Sequence, residues 1–167
     1  MRKIMLWAVT ASLVFSGAAL AKSRANGAHA HHHHHVRVIK LFASTVQFKQ
    51  LDLGDSGFSL GDEIVLADDV FTNQGGTNVG TDAGACTVVR VDNAATGTGT
   101  LQCPVTLSLP GGQIFTVGLV QLANGALSGT QAVAVSGGTG RYAGAEGEMA
   151  IQFLSATEAN YRITLVR

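Results

Sequence analysis

The chain has 167 residues, which is the size of one domain, and its formal net charge is zero. The charges are unevenly placed, because all 11 acidic residues lie from Asp52 onward and only four arginines oppose them, giving residues 51–167 a net charge of −7. A surface of that sign repels phosphate backbones, so we expect no nucleic-acid partner.

The N-terminus predicts a secretory signal peptide over residues 1–21. Two basic residues precede an apolar run from Ile4 to Leu20, and Ala19-Leu20-Ala21 has the small-x-small pattern of a cleavage site. The alternative is a membrane anchor, but polar residues interrupt the run. No later segment reaches the ~20 apolar residues of a membrane span. We therefore expect a secreted or periplasmic protein without a membrane span after signal cleavage.

Residues 22–35 predict a flexible tail. They are small and polar and include His29 and the tract His31–His35. The tract is either an engineered tag or a natural leader, and it favours loose binding of Ni or Zn ions over a structured metal site.

The remainder, residues 36–167, predicts one all-β domain. Apolar and polar residues alternate along several segments, as in Met149, Ile151 and Phe153, so each has one buried face. Glycine-rich turns separate the segments and predict antiparallel hairpins, Asn124-Gly125 being the strongest turn signal. The pattern predicts eight strands, over residues 36–50, 62–72, 78–92, 99–109, 112–122, 126–136, 146–155 and 159–167.

Eight strands in meander order favour an eight-stranded antiparallel β-barrel, since closure removes exposed edges. The alternative is a two-layer sandwich. Pro104 lies inside a predicted strand and cannot donate to a ladder, which predicts a bulge or a local edge there.

The two cysteines predict a cross-strand disulfide. A hairpin centred between Ala94 and Ala95 pairs residues whose numbers add to 189, and Cys86 and Cys103 meet that condition. Facing Cα atoms in a non-hydrogen-bonded antiparallel pair are ~4.5 Å apart, which a disulfide can bridge. An exported chain with an even number of cysteines favours the same pairing.

The sequence excludes several catalytic arrangements from the domain. No histidine follows His35, so a Ser-His-Asp or Cys-His site cannot form there. We predict no metal site, because the early acidic residues do not have the spacing of a calcium loop and are typical of solvated loops and rims.

Asp68 and Asp69 are adjacent on a strand and point to opposite faces, so one of them can face the barrel interior. A carboxyl group in an apolar interior has a raised pKa and can act as a general acid or base.

Several motifs in order along the chain resemble the bacterial allene oxide cyclase barrel-like family. They cover residues 36–167, and plant dirigent proteins are similar in the paired aspartates and the Gly-Gly-Thr-Gly segment. The motifs are Gly61-Asp62-Glu63, Asp68-Asp69-Val70-Phe71, Val79 to Gly84 with Cys86, Leu109 to Ile114, and Ser136 to Tyr142 with Gly147.

This resemblance implies a barrel with a hydrophobic cavity, often in an oligomer, so a homo-oligomer is one possible assembly. Family members cyclise fatty-acid epoxides, close polyketide rings or steer phenoxy-radical coupling without an organic cofactor, so no cofactor is expected.

By this similarity the catalytic candidates are Asp68 or Asp69, with Arg141 and Tyr142 near the cavity mouth. Dirigent proteins carry arginines after the glycine turn where this chain has Ala143 and Glu146, which argues against radical coupling. The predicted function is binding of an apolar small molecule, with cyclisation or isomerisation as its chemistry. The alternative is a non-catalytic secreted module with a filled barrel.

Overall fold

A computed structural model describes residues 35–166, and the predicted signal peptide and nearly all of the histidine-containing tail lie outside this range. Within it, every long segment is a β-strand. The strands are β1 (Val36–Leu51), β2 (Glu63–Phe71), β3 (Asn78–Asn93), β4 (Thr98–Leu109), β5 (Gly112–Ala123), β6 (Ala126–Leu127), β7 (Thr130–Gly138), β8 (Glu146–Phe153) and β9 (Glu158–Val166). No helix among the described residues is long and apolar enough to cross a membrane.

The strands form a closed antiparallel barrel. Strands β1 to β5 pair in sequence order, β5 also pairs with β7, β7 with β8, β8 with β9, and β9 with β1. Eight strands complete the ring, and the two-residue β6 only extends the end of β5. The predicted barrel is confirmed, and the sandwich alternative is wrong because β4 pairs with β5 and leaves no gap in the ring.

The predicted strand 126–136 is divided in the structure. Asn124 and Gly125 both adopt positive φ angles and form the predicted tight turn into β6. Gly129 then adopts a φ of +69°, which turns the chain away from β5 before β7 begins at Thr130. The alternation of side chains along the sequence does not break at Gly129, but the left-handed conformation of this glycine ends the β5–β6 pairing.

Side-chain alternation determines what fills the barrel. Inward positions on β4 and β9 carry large apolar residues, among them Leu101, Leu107, Ile163 and Leu165, none more than 1% exposed. In β1 a bulge between Thr45 and Gln47 changes which alternate residues point into the barrel. The extra residue, Val46, lets both Thr45 before it and Phe48 after it line the same interior cavity.

The predicted disulfide is confirmed. Cys86 and Cys103 are bonded, with their Cα atoms 4.2 Å apart, and both are buried. The predicted register holds from Thr81–Ser108 to Val88–Leu101. It shifts only nearer the turn, where bulges and a 3₁₀ turn (Ala94–Thr96) replace the simple hairpin.

Pro104 produces no bulge. The β3–β4 pairing passes from Gly84–Val105 to Thr87–Gln102 in one register, while Pro104 keeps its place opposite Val117 on β5. The missing N–H therefore interrupts one ladder locally, and the disulfide joins β3 and β4 across the interruption.

Removing the disulfide should destabilise the barrel by about 3 kcal/mol, the loop-closure entropy of a bond across 17 residues. The test is equilibrium denaturation of the Cys86→Ala/Cys103→Ala variant. Reduced wild-type protein is the control, because it loses the bond but keeps the sulfur atoms in the core. Equal stability of the oxidised and reduced proteins would contradict the prediction.

Candidate functional site

The barrel interior contains a cavity of about 230 Å³. It opens at the end where β2, β4 and β9 begin, which we call the mouth. Most of its wall is aliphatic or aromatic, and it includes both cysteines of the disulfide. Its apolar wall is contributed by Ala43, Ile64, Leu66, Leu101, Val105, Val120, Leu122, Met149, Ile151 and Phe153, among others. A concave, largely apolar pocket with few polar groups is typical of small-molecule sites.

The floor of the cavity carries two polar side chains, Asp68 and Tyr161. Asp68 is an inward residue of β2, and Tyr161 is an inward residue of β9, two strands away around the ring. The Tyr161 hydroxyl donates a hydrogen bond to Asp68 Oδ2 at 3.1 Å. The other carboxyl oxygen, Asp68 Oδ1, is buried and has no hydrogen-bond partner in the described protein.

A second acid, Asp82, lies beside this pair. It is an inward residue of β3, directly opposite Asp68 in the β2–β3 ladder, and only 1% exposed. Its side chain interacts with those of Asp68 and Tyr161, although neither carboxyl oxygen makes a hydrogen bond of good geometry. A buried charge without a partner is costly, so a carboxyl group in this position favours its neutral form.

Burial raises the pKa of Asp82 to about 8, and the neighbouring charge of Asp68 contributes in the same direction. At neutral pH Asp82 therefore retains a proton. Burial also raises the pKa of Tyr161 further above its ordinary value, with the two aspartates adding to the effect. The cluster thus combines a protonated carboxyl group, a second carboxyl group and a phenol, three groups that can exchange protons within an apolar enclosure.

Asp62 has a structural role at the rim of the mouth. Its carboxylate accepts backbone hydrogen bonds from Ser59 at 2.6 Å and Leu53 at 3.0 Å, and these bonds lower its pKa. It thereby holds the loop between β1 and β2 in place. The described residues contain no group of three or more His, Cys, Asp or Glu side chains arranged to hold a metal ion.

The comparison with family models agrees with this architecture. The allene oxide cyclase barrel-like domain matches residues 42–166, three quarters of the chain. The chain belongs to this family. Comparison with curated proteins gives no match.

Solved structures with the allene oxide cyclase-like barrel are similar over most of the chain. A pyocyanin demethylase is 27% identical, with a TM-score of 0.66, and the match covers 77% of this chain and 99% of that one. A pterocarpan synthase dirigent protein is 14% identical, with a TM-score of 0.64 and coverage of 90% and 99%. An exo-specific intermolecular Diels–Alderase is 16% identical, with a TM-score of 0.59 and coverage of 80% and 98%. At their identities, the last two similarities establish the fold.

The structure separates the four predicted site residues. Asp68 faces the cavity, whereas Asp69 faces outward and is half-buried. Arg141 and Tyr142 lie in a 3₁₀ turn (Gly140–Tyr142) between β7 and β8, at the end of the barrel opposite the mouth. The expectation that they lie near the mouth is wrong, because neither lines the cavity.

Tyr142 is packed into the end of the barrel opposite the mouth. Its ring is buried, and the guanidinium groups of Arg37 and Arg141 lie 5.9 Å and 5.6 Å from its centroid. Such cation–π contacts favour a fixed ring position. We call this the closed end.

The prediction missed Asp82 and Tyr161 as site residues, although the sequence held a signal for Asp82. A turn centred on Gly75 pairs residues of β2 and β3 whose numbers add to 150, and Asp68 and Asp82 meet that condition. No comparable signal identifies Tyr161, because the strand between it and Asp68 is β1 and the contact crosses the barrel interior.

Proposed function

We propose that this protein is an exported barrel that binds an apolar small molecule in its cavity and guides its cyclisation or isomerisation. One observation carries the proposal, namely an apolar cavity whose floor presents the buried Asp68 carboxyl with an unpartnered oxygen. The names of the structural relatives support a small-molecule role, since they include a demethylase, a dirigent protein and a Diels–Alderase.

The chemistry we propose is proton transfer without a cofactor. Asp68 and Tyr161 contact the ligand, and Asp82 behind them is a positioning residue that holds a proton near Asp68. Tyr161 donates its proton to a ligand oxygen while Asp68 removes a proton from the same molecule, so the ligand rearranges with no net change in atoms. The proton then passes from Asp68 back to Tyr161 along their hydrogen bond, which restores the site. The apolar wall excludes water, which strengthens these electrostatic interactions.

Export is the second part of the proposal. It is supported by the signal-like N-terminus and by the disulfide, which persists in oxidising compartments. The N-terminal sequence of the exported protein is expected to begin at Lys22, and a secreted chain that still begins at Met1 would contradict it.

Native mass spectrometry of protein from the host's export fraction tests the function directly. We expect a co-purifying apolar molecule and, on turnover, a product of the same mass with a different retention time. Asp68→Asn should keep the fold and lose the conversion. A protein that carries no ligand and converts no member of a panel of neutral, cationic and anionic apolar compounds would contradict the proposal.

Filling the cavity should abolish binding at little cost in stability. Ala159 lines the cavity, so Ala159→Phe places its ring in empty space. Titration calorimetry with 2-naphthylmethanol, a neutral apolar probe, should show binding to wild type and none to this variant. Ala145→Phe is the control, because Ala145 is buried outside the cavity and overpacking there costs about 1–3 kcal/mol. Equal destabilisation by both substitutions would indicate that the site at Ala159 has no free space.

A further inference from the structure

The charges in the cavity are all of one sign. Its only ionisable carboxylates are Asp68 at the floor and Glu158 at the mouth, and none of its described lining residues is Lys, Arg or His. The single ion pair within residues 35–166, between Arg90 and Asp92, is exposed on the barrel surface. No cationic side chain of the described protein therefore lines the cavity to balance the acidic Asp68 at its floor.

The Asp68 carboxylate is incompletely satisfied. One oxygen accepts from Tyr161, and the other has no partner although the residue is more than nine-tenths buried. Buried carboxylates in proteins are normally paired or fully hydrogen-bonded. The neighbouring Asp82 can offer its proton to Asp68 but supplies no positive charge.

We infer that the cavity selects its ligand by charge, taking an apolar molecule with a protonated amine or similar hydrogen-bond-donating cation and rejecting one that ends in a carboxylate. The inference rests on the proposed function and names the substrate class for that site. A cation placed at the floor completes the bonding of Asp68 Oδ1 and neutralises its charge. A ligand carboxylate lies beside Asp68 if that end of the ligand enters first, and beside Glu158 if it enters last. It therefore meets an acidic side chain in either orientation. Fatty-acid epoxides, which the family resemblance implied, are therefore poor ligands for this chain.

Three probes with one ring system test the inference: 2-naphthylmethylamine, 2-naphthylmethanol and 2-naphthoate, each titrated into the full protein at pH 7. We expect the amine to bind at least about tenfold tighter than the alcohol, as a charge-assisted hydrogen bond is stronger than a neutral one. The carboxylate should bind more weakly than the alcohol.

Two aspartate variants locate the source of the selectivity. Asp68→Asn should bind the amine and the alcohol equally. Asp69→Asn removes the same charge from the neighbouring outward position and should keep the preference for the amine.

The outcomes are distinguishable. Binding of all three probes with similar affinity, or tightest binding of 2-naphthoate, overturns the charge selectivity and leaves the cavity function standing. Failure of all three, the neutral alcohol included, overturns both. A preference for the amine that persists in Asp68→Asn overturns the assignment to the floor. The comparison of probes on wild-type protein remains decisive if Asp68→Asn does not fold.

Discussion

The free energy of unfolding of the wild-type barrel should fall, relative to that of Asp82→Asn, as the pH rises from about 4 to 8. In the folded protein the pKa of Asp82 is about 8, raised from 3.8 by burial and by the charge of Asp68. Below pH 3.8 the carboxyl is protonated in both states and contributes no difference. Above it the unfolded chain releases the proton while the folded protein retains it, so stability declines by about 1.4 kcal/mol per pH unit until the folded protein also ionises.

The measurement is urea denaturation of wild type and Asp82→Asn across pH 4 to 9. The two proteins should be similar at pH 4, and the variant should be more stable by about 5 kcal/mol at pH 8 and above. Asp69→Asn is the control, since its outward side chain is half-buried and lies on the same strand as Asp68. Parallel curves for wild type and Asp82→Asn would show that Asp82 ionises in the barrel as readily as in the unfolded chain.

Gly147→Ala should destabilise the barrel by about 2–5 kcal/mol, the sum of backbone strain and overpacking. Gly147 adopts a φ of +146°, and an added Cβ would approach the backbone oxygen of Thr164 on β9 within van der Waals overlap. Two costs combine, a backbone conformation that L-residues avoid and an overpacked contact with a neighbouring strand that cannot move freely.

Gly144→Ala provides the matched control for this glycine. Gly144 also has a positive φ, +69°, but an added Cβ there meets no atom within 4 Å. It should cost only the backbone strain, about 1–2 kcal/mol. Thermal unfolding of both variants measures the difference, and equal losses would show that the contact with Thr164 is relieved without disturbing the β8–β9 pairing.

Local patterns were sufficient to predict most of the fold. Period-two alternation placed the strands, and the spacing of Cys86 and Cys103 gave the correct register because two bulges nearer the turn offset its extra length. The same reasoning predicted that Asp68 and Asp69 would point apart. The side-chain pattern did not predict the interruption at Gly129, because a single backbone angle changes the strand pairing there.

The candidate site was harder to predict because its members are joined through the barrel interior. Asp68, Asp82 and Tyr161 lie on three different strands, and the hydrogen bond between Asp68 and Tyr161 spans 93 positions in sequence. Strand parity shows which side chains face inward, but not which of them lie at the same height in the barrel. The family resemblance pointed to Tyr142, which is buried at the closed end, whereas Tyr161 is the tyrosine that lines the cavity.

The closed end has a kinetic consequence. Because buried side chains such as Leu107, Ile163 and Leu165 fill the barrel between the cavity and the closed end, the cavity is open only at the mouth. A molecule therefore leaves by the route through which it entered. If the proposed conversion takes place, a product still in the cavity blocks the next substrate, and product inhibition should be competitive. If two molecules are joined inside, the deeper one must enter first, and the order of addition is then imposed by the shape of the barrel rather than by affinity.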